Sequence, residues 1–154
     1  MEGKRVEESR IVLTQLMNVT DANTLGNVHG GLIMKLCDEA GGMAASKHSR
    51  HAVVTVAVDS MRFHSPVRIG DLLTVTAEVT WTGRTSMETR VYATAENVLS
   101  GEVTHTNTAF FVYVGLDANG RPTPVPPLIP QTETEKRRFA EAQERRKERL
   151  RARA

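Results

Sequence analysis

The sequence predicts an α+β domain in which an antiparallel sheet encloses one long helix, and three observations lead there. A glycine-headed, apolar helical segment lies early in the chain, over residues 32–47. Four β-rich runs follow it in succession, joined by turns, and strands connected this way pair antiparallel. One helix cannot cover both faces of so long a sheet, so the sheet wraps around it.

Each element has its own pattern. Residues 10–19 read as a first strand with imperfect alternation, followed by a turn-rich stretch over 20–27. In the helix, Leu32, Ile33, Leu36, Cys37, Ala40, Met43 and Ala44 share one broad face. Met34, Asp38, Gly41 and Ala45 make a second face, and only Lys35, Glu39 and Ser46 form a polar stripe. The helix is therefore expected to be mostly buried. Residues 53–63 are β-branched and nearly continuous, as in a strand covered on both sides. Leu73, Val75, Ala77, Val79 and Trp81 alternate with polar residues, and Met87, Thr89, Val91, Ala93 and Ala95 do the same. Gly83-Arg84-Thr85 separates these two runs as a hairpin-length turn. A last strand is expected over residues 102–114, giving a sheet of five to six strands.

The C-terminal part differs. Five of the nine residues in 122–130 are proline, which makes the segment extended and excludes a central strand. Val125, Leu128 and Ile129 are its expected contacts. Thr132 and Glu135 have capping-box spacing, and a charged helix follows to about Arg151. Glu133 with Arg137 and Glu141 with Arg145 support it at i,i+4. Apart from Phe139 and Leu150 it lacks an apolar face, so it is expected to be solvated. The division is thus a domain over 1–130 with its proline-rich extension, and a charged tail over 131–154.

Composition excludes several classes of function. The chain has 154 residues, 40% hydrophobic and 25% charged, which fits one soluble globular domain. No apolar run approaches the roughly 20 residues a bilayer span requires, and the N-terminus lacks a signal-peptide core. A cytoplasmic location without membrane contact is expected. Cys37 is the only cysteine, which rules out an internal disulfide and argues against a metal site. Nine Lys/Arg face five Asp/Glu over residues 133–154, so a basic tail follows a near-neutral body, and no nucleic-acid partner is expected.

Residues 21–38 hold the candidate chemistry. Asp38 is a carboxylate in an otherwise apolar helix. Gly30-Gly31 at the helix start leaves backbone N–H groups uncovered, a ready site for a developing oxyanion. Asn23, Asn27 and His29 crowd the approach. Each has a plainer reading: a structural acceptor for Asp38, close packing for the glycines, turn formation for the asparagines, and support of neighbours for His29.

Gly26-Asn27-Val28-His29-Gly30-Gly31, followed by a helix bearing Asp38, resembles the signature of hotdog-fold acyl-CoA thioesterases of the brain acyl-CoA hydrolase type. The resemblance continues through the stretches 54–63, 83–88 and 110–114, then Pro124-Val125-Pro126, Pro130 and residues 134–139. It covers nearly the whole chain, in order.

The resemblance implies a hotdog fold, a homodimer formed edge to edge and assembled further into a hexamer, and active sites between subunits. It implies that Asp38 is the acidic residue and Asn23 the loop asparagine, the two coming from opposite subunits. In two-domain relatives each half keeps part of this set, whereas this chain holds both parts. Glu39 falls on the polar stripe, which favours Asp38. The implied activity is hydrolysis of fatty acyl-CoA to free acid and coenzyme A. Asp38 acts as base for water or as nucleophile, and the N–H of Gly31 receives the oxyanion. No cofactor is expected, coenzyme A being part of the substrate. Its phosphates need cations or polar groups at the mouth, with Arg84, Ser86, Arg62 and His29 as candidates. The competing readings are a dehydratase using His29 as base, and a non-catalytic acyl-CoA-binding or tail-binding module.

Overall fold

The computed structural model describes residues 1–153. Its strands are Lys4–Arg5 (β1), Ile11–Leu16 (β2), Ala52–Phe63 (β3), Asp71–Thr82 (β4), Ser86–Asn97 (β5), Val103–Leu116 (β6) and Leu128–Ile129 (β7). Its helices are Gly30–Ser49 (α1) and Glu133–Ala152 (α2), with 3-10 turns at Val6–Glu8 and Val19–Asp21. Five strands form one antiparallel sheet in the order β2-β4-β5-β6-β3, with α1 against one face. The fold is the α+β architecture that the sequence predicts.

Helix α1 is 20 residues long, about 30 Å. It takes in Gly30 and Gly31, with His29 as N-cap. It ends at Arg50, whose left-handed φ of 60° lets its N–H return to the Ser46 carbonyl at 2.7 Å. Ile33, Leu36, Cys37, Ala40, Ala44 and Ala45 join one core with Val75, Ala77 and Val79 of β4, Met87, Val91 and Ala93 of β5, and Ala109 and Phe111 of β6. The small residues along α1 let its backbone lie close to the sheet, where each contact gains dispersion energy. Met43 departs from expectation. It remains 43% exposed, as does Met34.

That edge is β3, which pairs with β6 on one side and is open on the other. Val54, Val56 and Val58 are 44–45% exposed along it, although the sequence predicts a strand covered on both faces. Bulges between Thr55 and Ala57 and between Asp59 and Arg62 bend this strand, and Ser60 adopts a φ of 57° in the second.

Trp81 is a second departure. Simple alternation groups it with the helix-facing residues of β4, but a bulge between Val79 and Trp81 inserts Thr80 and reverses the phase. Trp81 therefore stands on the other sheet face, under the Arg146 guanidinium 5.2 Å from its ring.

Helix α2 packs on this outer face instead of standing in solvent. Thr132 caps it as predicted, accepting from the Glu135 N–H at 3.0 Å. Ala142 is fully buried beneath it. Arg145 does not pair with Glu141; it donates to Glu88 of β5 and lies 3.6 Å from the centre of the Phe110 ring. Arg149 reaches Asp59 of β3 at 2.6 Å. Long side chains supply the docking that an apolar stripe would otherwise give.

The proline-rich segment crosses the surface as expected, with Val125 and Leu128 buried, but Ile129 is half exposed. Leu128–Ile129 also pairs in parallel with Lys4–Arg5. His48, buried at the end of α1, fastens the segment through a 2.7 Å hydrogen bond between Nε2 and the Pro126 carbonyl. No helix among the described residues is long and apolar enough to cross a membrane.

Candidate active site

Asp38 sits about two turns into α1, half-buried, where the helix faces β3. The register places Thr55 of β3 directly opposite Tyr113 of β6, so both side chains rise from the sheet beneath the helix. The Thr55 hydroxyl donates to Asp38 Oδ1 at 2.8 Å. The Tyr113 hydroxyl lies 2.9 Å from the same oxygen and 2.9 Å from the Asp38 carbonyl. No group among the described residues engages Oδ2. One carboxylate oxygen is anchored and the other is available.

Gly41 makes this arrangement possible. A Cβ at that position would lie 2.5 Å from the Tyr113 hydroxyl and 2.8 Å from Thr89 Oγ1. The glycine predicted for the second helix face is thus the hole through which a phenol reaches the helix backbone. Burial, together with the neighbouring Asp38 carboxylate, pushes the Tyr113 phenol well above its ordinary range, so it stays protonated and can donate.

Asp38, Glu39, Gly42, Met43, Ser46, Val53, Thr55 and Tyr113 line an open cleft of about 440 Å³. It mixes methionine and valine surface with the carboxylates of Asp38 and Glu39. Glu39 points outward, 3.7 Å from Lys35, as the helical wheel predicts.

Asn23 is not in this cleft. Its Oδ1 accepts from the N–H groups of Leu25 at 2.9 Å and Asn27 at 3.2 Å, which shapes the loop before α1. Gly26 takes a φ of 81° in the same turn. The turn-forming and functional readings of Asn23 are compatible, because Nδ2 finds no acceptor among the described residues. Nothing comes within 4 Å of the place where a Gly31 side chain would begin, and its N–H, in the first turn of α1, finds no backbone acceptor among the described residues. Gly31 precedes Asp38 by seven residues, about 10 Å along the axis, too far to act on the same carbonyl within one chain. His29, at the N-cap, is further away still.

The candidates for the coenzyme are scattered. Arg84 is exposed in the β4–β5 turn, where its carbonyl receives the Val125 N–H at 2.9 Å. Arg62 is exposed on β3 opposite Thr108. Ser86 lines a cavity of about 240 Å³ with Arg146, Arg149 and Arg153. That cavity is on the α2 side of the sheet, away from Asp38. Cys37, although next to Asp38 in sequence, is an ordinary core residue: burial pushes its thiol up to about 11, and Asn107 Nδ2 is its polar neighbour at 3.7 Å.

Thr55, Tyr113 and Gly41 were not legible as a unit. A hydroxyl within the apolar run of β3 and another in Phe110-Phe111-Val112-Tyr113-Val114 are weak signals until the register pairs them.

Comparison with known proteins places this geometry in a family. Residues 25–102 match the family model of the thioesterase superfamily. A cytosolic acyl coenzyme A thioester hydrolase of Rattus norvegicus is 40% identical over 94% of this chain, which spans 38% of that protein's length. An uncharacterised acyl-CoA thioester hydrolase of Bacillus subtilis is 35% identical over 87% of this chain and 78% of its own. Among solved structures, an apo-hexameric acyl-CoA thioesterase superposes with a TM-score of 0.96 at 41% identity, covering 100% of this chain and 99% of its own. An acyl-CoA hydrolase of Staphylococcus aureus, solved with butyryl coenzyme A and coenzyme A, superposes at 0.90 with 30% identity, covering 97% and 92%. Alanine variants of the Staphylococcus aureus enzyme have been solved at one asparagine, one aspartate and one threonine, and the intervals between those positions equal those between Asn23, Asp38 and Thr55. The helix, the sheet order and these matches agree: the chain belongs to the thioesterase superfamily, among its hotdog-fold acyl-CoA thioester hydrolases.

Proposed function

We propose that this chain hydrolyses acyl-CoA thioesters to a free fatty acid and coenzyme A, at a site completed by a second copy of itself. The observation that carries the reading is the Asp38 carboxylate, with Oδ1 held by two hydroxyls and Oδ2 free in a cleft of partly apolar lining.

Asp38 Oδ2 takes a proton from water as the water oxygen bonds to the thioester carbon. The carbonyl electrons move onto oxygen, which the Gly31 N–H of the partner subunit receives at the start of its helix. Asn23 of the partner subunit, its Oδ1 already committed to the loop, offers Nδ2 to the water or the carbonyl. Collapse of the intermediate breaks the carbon–sulfur bond, and the coenzyme thiolate leaves and takes up the proton. The helical distance between Gly31 and Asp38 supports the assignment of Gly31 and Asn23 to one subunit and Asp38 to the other. The matching intervals in the Staphylococcus aureus enzyme support the choice of Asn23, Asp38 and Thr55.

The open edge of β3 supports edge-to-edge pairing of two copies, which would cover Val54, Val56 and Val58. Relatives described as hexameric support a trimer of such dimers. Arg84 is the first candidate for the coenzyme phosphates, with Arg62, Ser86 and His29 behind it. The reading requires no cofactor, nucleic acid or membrane, and fits the cytosol, where the rat relative is named.

The test is release of free thiol across a ladder of acyl-CoA lengths, with native mass measured on the same sample. Turnover that falls by orders of magnitude in Asp38→Asn, with an unchanged fold, is the expected result. Full activity in Asp38→Asn would remove Asp38 from its role, and absence of thiol release by the wild-type chain would remove the activity.

A further inference from the structure

We infer that Tyr113 is a positioning residue for the reaction: from beneath the helix, its hydroxyl fixes the orientation of the Asp38 carboxylate and so aims Oδ2 at the substrate. The inference rests on the proposed role of Asp38 and deepens it.

A carboxylate on a helix turns about its side-chain torsions, and two points of attachment are needed to select one orientation. Thr55 supplies the first and Tyr113 the second, both to Oδ1. The two stand opposite each other on neighbouring strands, so the sheet register sets their separation. Thr55 approaches from the open edge. Tyr113 approaches from the buried side, where its ring is 1% exposed.

Tyr113 also spans side chain and backbone. Its hydroxyl is equally close to the Asp38 carbonyl, so the carboxylate is referenced to the helix axis. The phenol has a single proton, and the charged oxygen is the stronger acceptor. Gly41 is the counterpart on the helix: any side chain there would begin 2.5 Å from the phenol oxygen and displace it. A tyrosine present only to fill volume would not require a missing Cβ at the point where its hydroxyl emerges. Nor would it place that hydroxyl within bonding distance of the carboxylate.

The test is a kinetic cycle on the full-length protein with Tyr113→Phe, Thr55→Val and the double variant, together with crystal structures. Loss of one hydrogen bond to a charged group is expected to lower kcat roughly 10- to 100-fold in Tyr113→Phe, with KM within about two-fold. The double variant should lose less than the product of the single losses, because both attachments are needed and either single variant already frees the carboxylate. In an Asp38→Asn background Tyr113→Phe should cost nothing further. The Tyr113→Phe crystal structure should show the carboxylate rotated or in two orientations. An unchanged kcat with the carboxylate in place would overturn the inference, even if Asp38→Asn abolishes activity. A loss of activity that merely follows a loss of thermal stability, with the carboxylate unmoved, would overturn it too. Should the wild-type chain release no thiol, the proposed function falls, and the carboxylate orientation in Tyr113→Phe still decides the role of Tyr113.

Discussion

Arg145 of α2 grips Glu88 of β5 with two parallel hydrogen bonds, Nε to Oε2 at 2.9 Å and Nη2 to Oε1 at 2.8 Å. Glu88 is fully buried and also accepts from the Thr80 hydroxyl at 2.7 Å. The Phe110 ring backs the guanidinium. The bidentate geometry satisfies a carboxylate that would otherwise be stranded in the sheet.

Arg145→Ala should therefore destabilise the fold by about 3 kcal/mol, because a buried charge loses its partner. Urea unfolding would measure this, and proteolysis should show α2 released from the sheet. A change below about 0.5 kcal/mol, the level of an exposed pair, would mean that the helix docks by other contacts.

Gly41→Ala sets two effects against each other. Alanine favours the helix interior by about 1 kcal/mol. The added Cβ would, however, lie within 2.5 Å of the Tyr113 hydroxyl, with Thr89 behind it. The clash should win, lowering both the melting temperature and kcat, the latter towards the level of Tyr113→Phe. A stabilised and fully active variant would contradict the packing described above.

His48 makes folding sensitive to pH. Burial first, then nearby Lys4, holds its imidazole below the usual range, against opposing contributions from the Pro126 carbonyl and Glu8. The folded protein thus binds the proton less readily than the unfolded chain. Stability is full above the ordinary histidine value, near 6.5, and declines as pH falls below it. Melting temperatures taken between pH 7.5 and 5 should fall. In His48→Gln the part of the slope due to this residue should disappear.

Subunit mixing tests the shared site. Asn23→Ala and Asp38→Asn should each be nearly inactive alone. After denaturation and joint refolding, half the dimers are mixed and each carries one intact site, so about a quarter of wild-type activity should return. No recovery would place both residues in one chain's site.

Much of the fold was legible in the sequence because periodicity reports which face of an element is buried. The long helix and the β4–β5 hairpin follow from local pattern, as does the Thr132 cap. Asp38 drew notice because a carboxylate among apolar residues needs partners. Those partners could not be read, since Thr55 and Tyr113 lie 17 and 75 residues away from it and meet only through the register of β3 with β6.

The fold class, the order of the elements and the acid worth watching were all legible along the chain, because they depend on residue type and short-range spacing. Tertiary structure alone decided three things. A bulge reversed Trp81, which alternation could not foresee because one inserted residue changes the phase. Buried Glu88 drew Arg145 away from its helical neighbour, because a charge removed from water binds its partner more strongly than one at the surface. Register brought two hydroxyls under one carboxylate oxygen, because distant strands become neighbours only when the sheet closes around the helix.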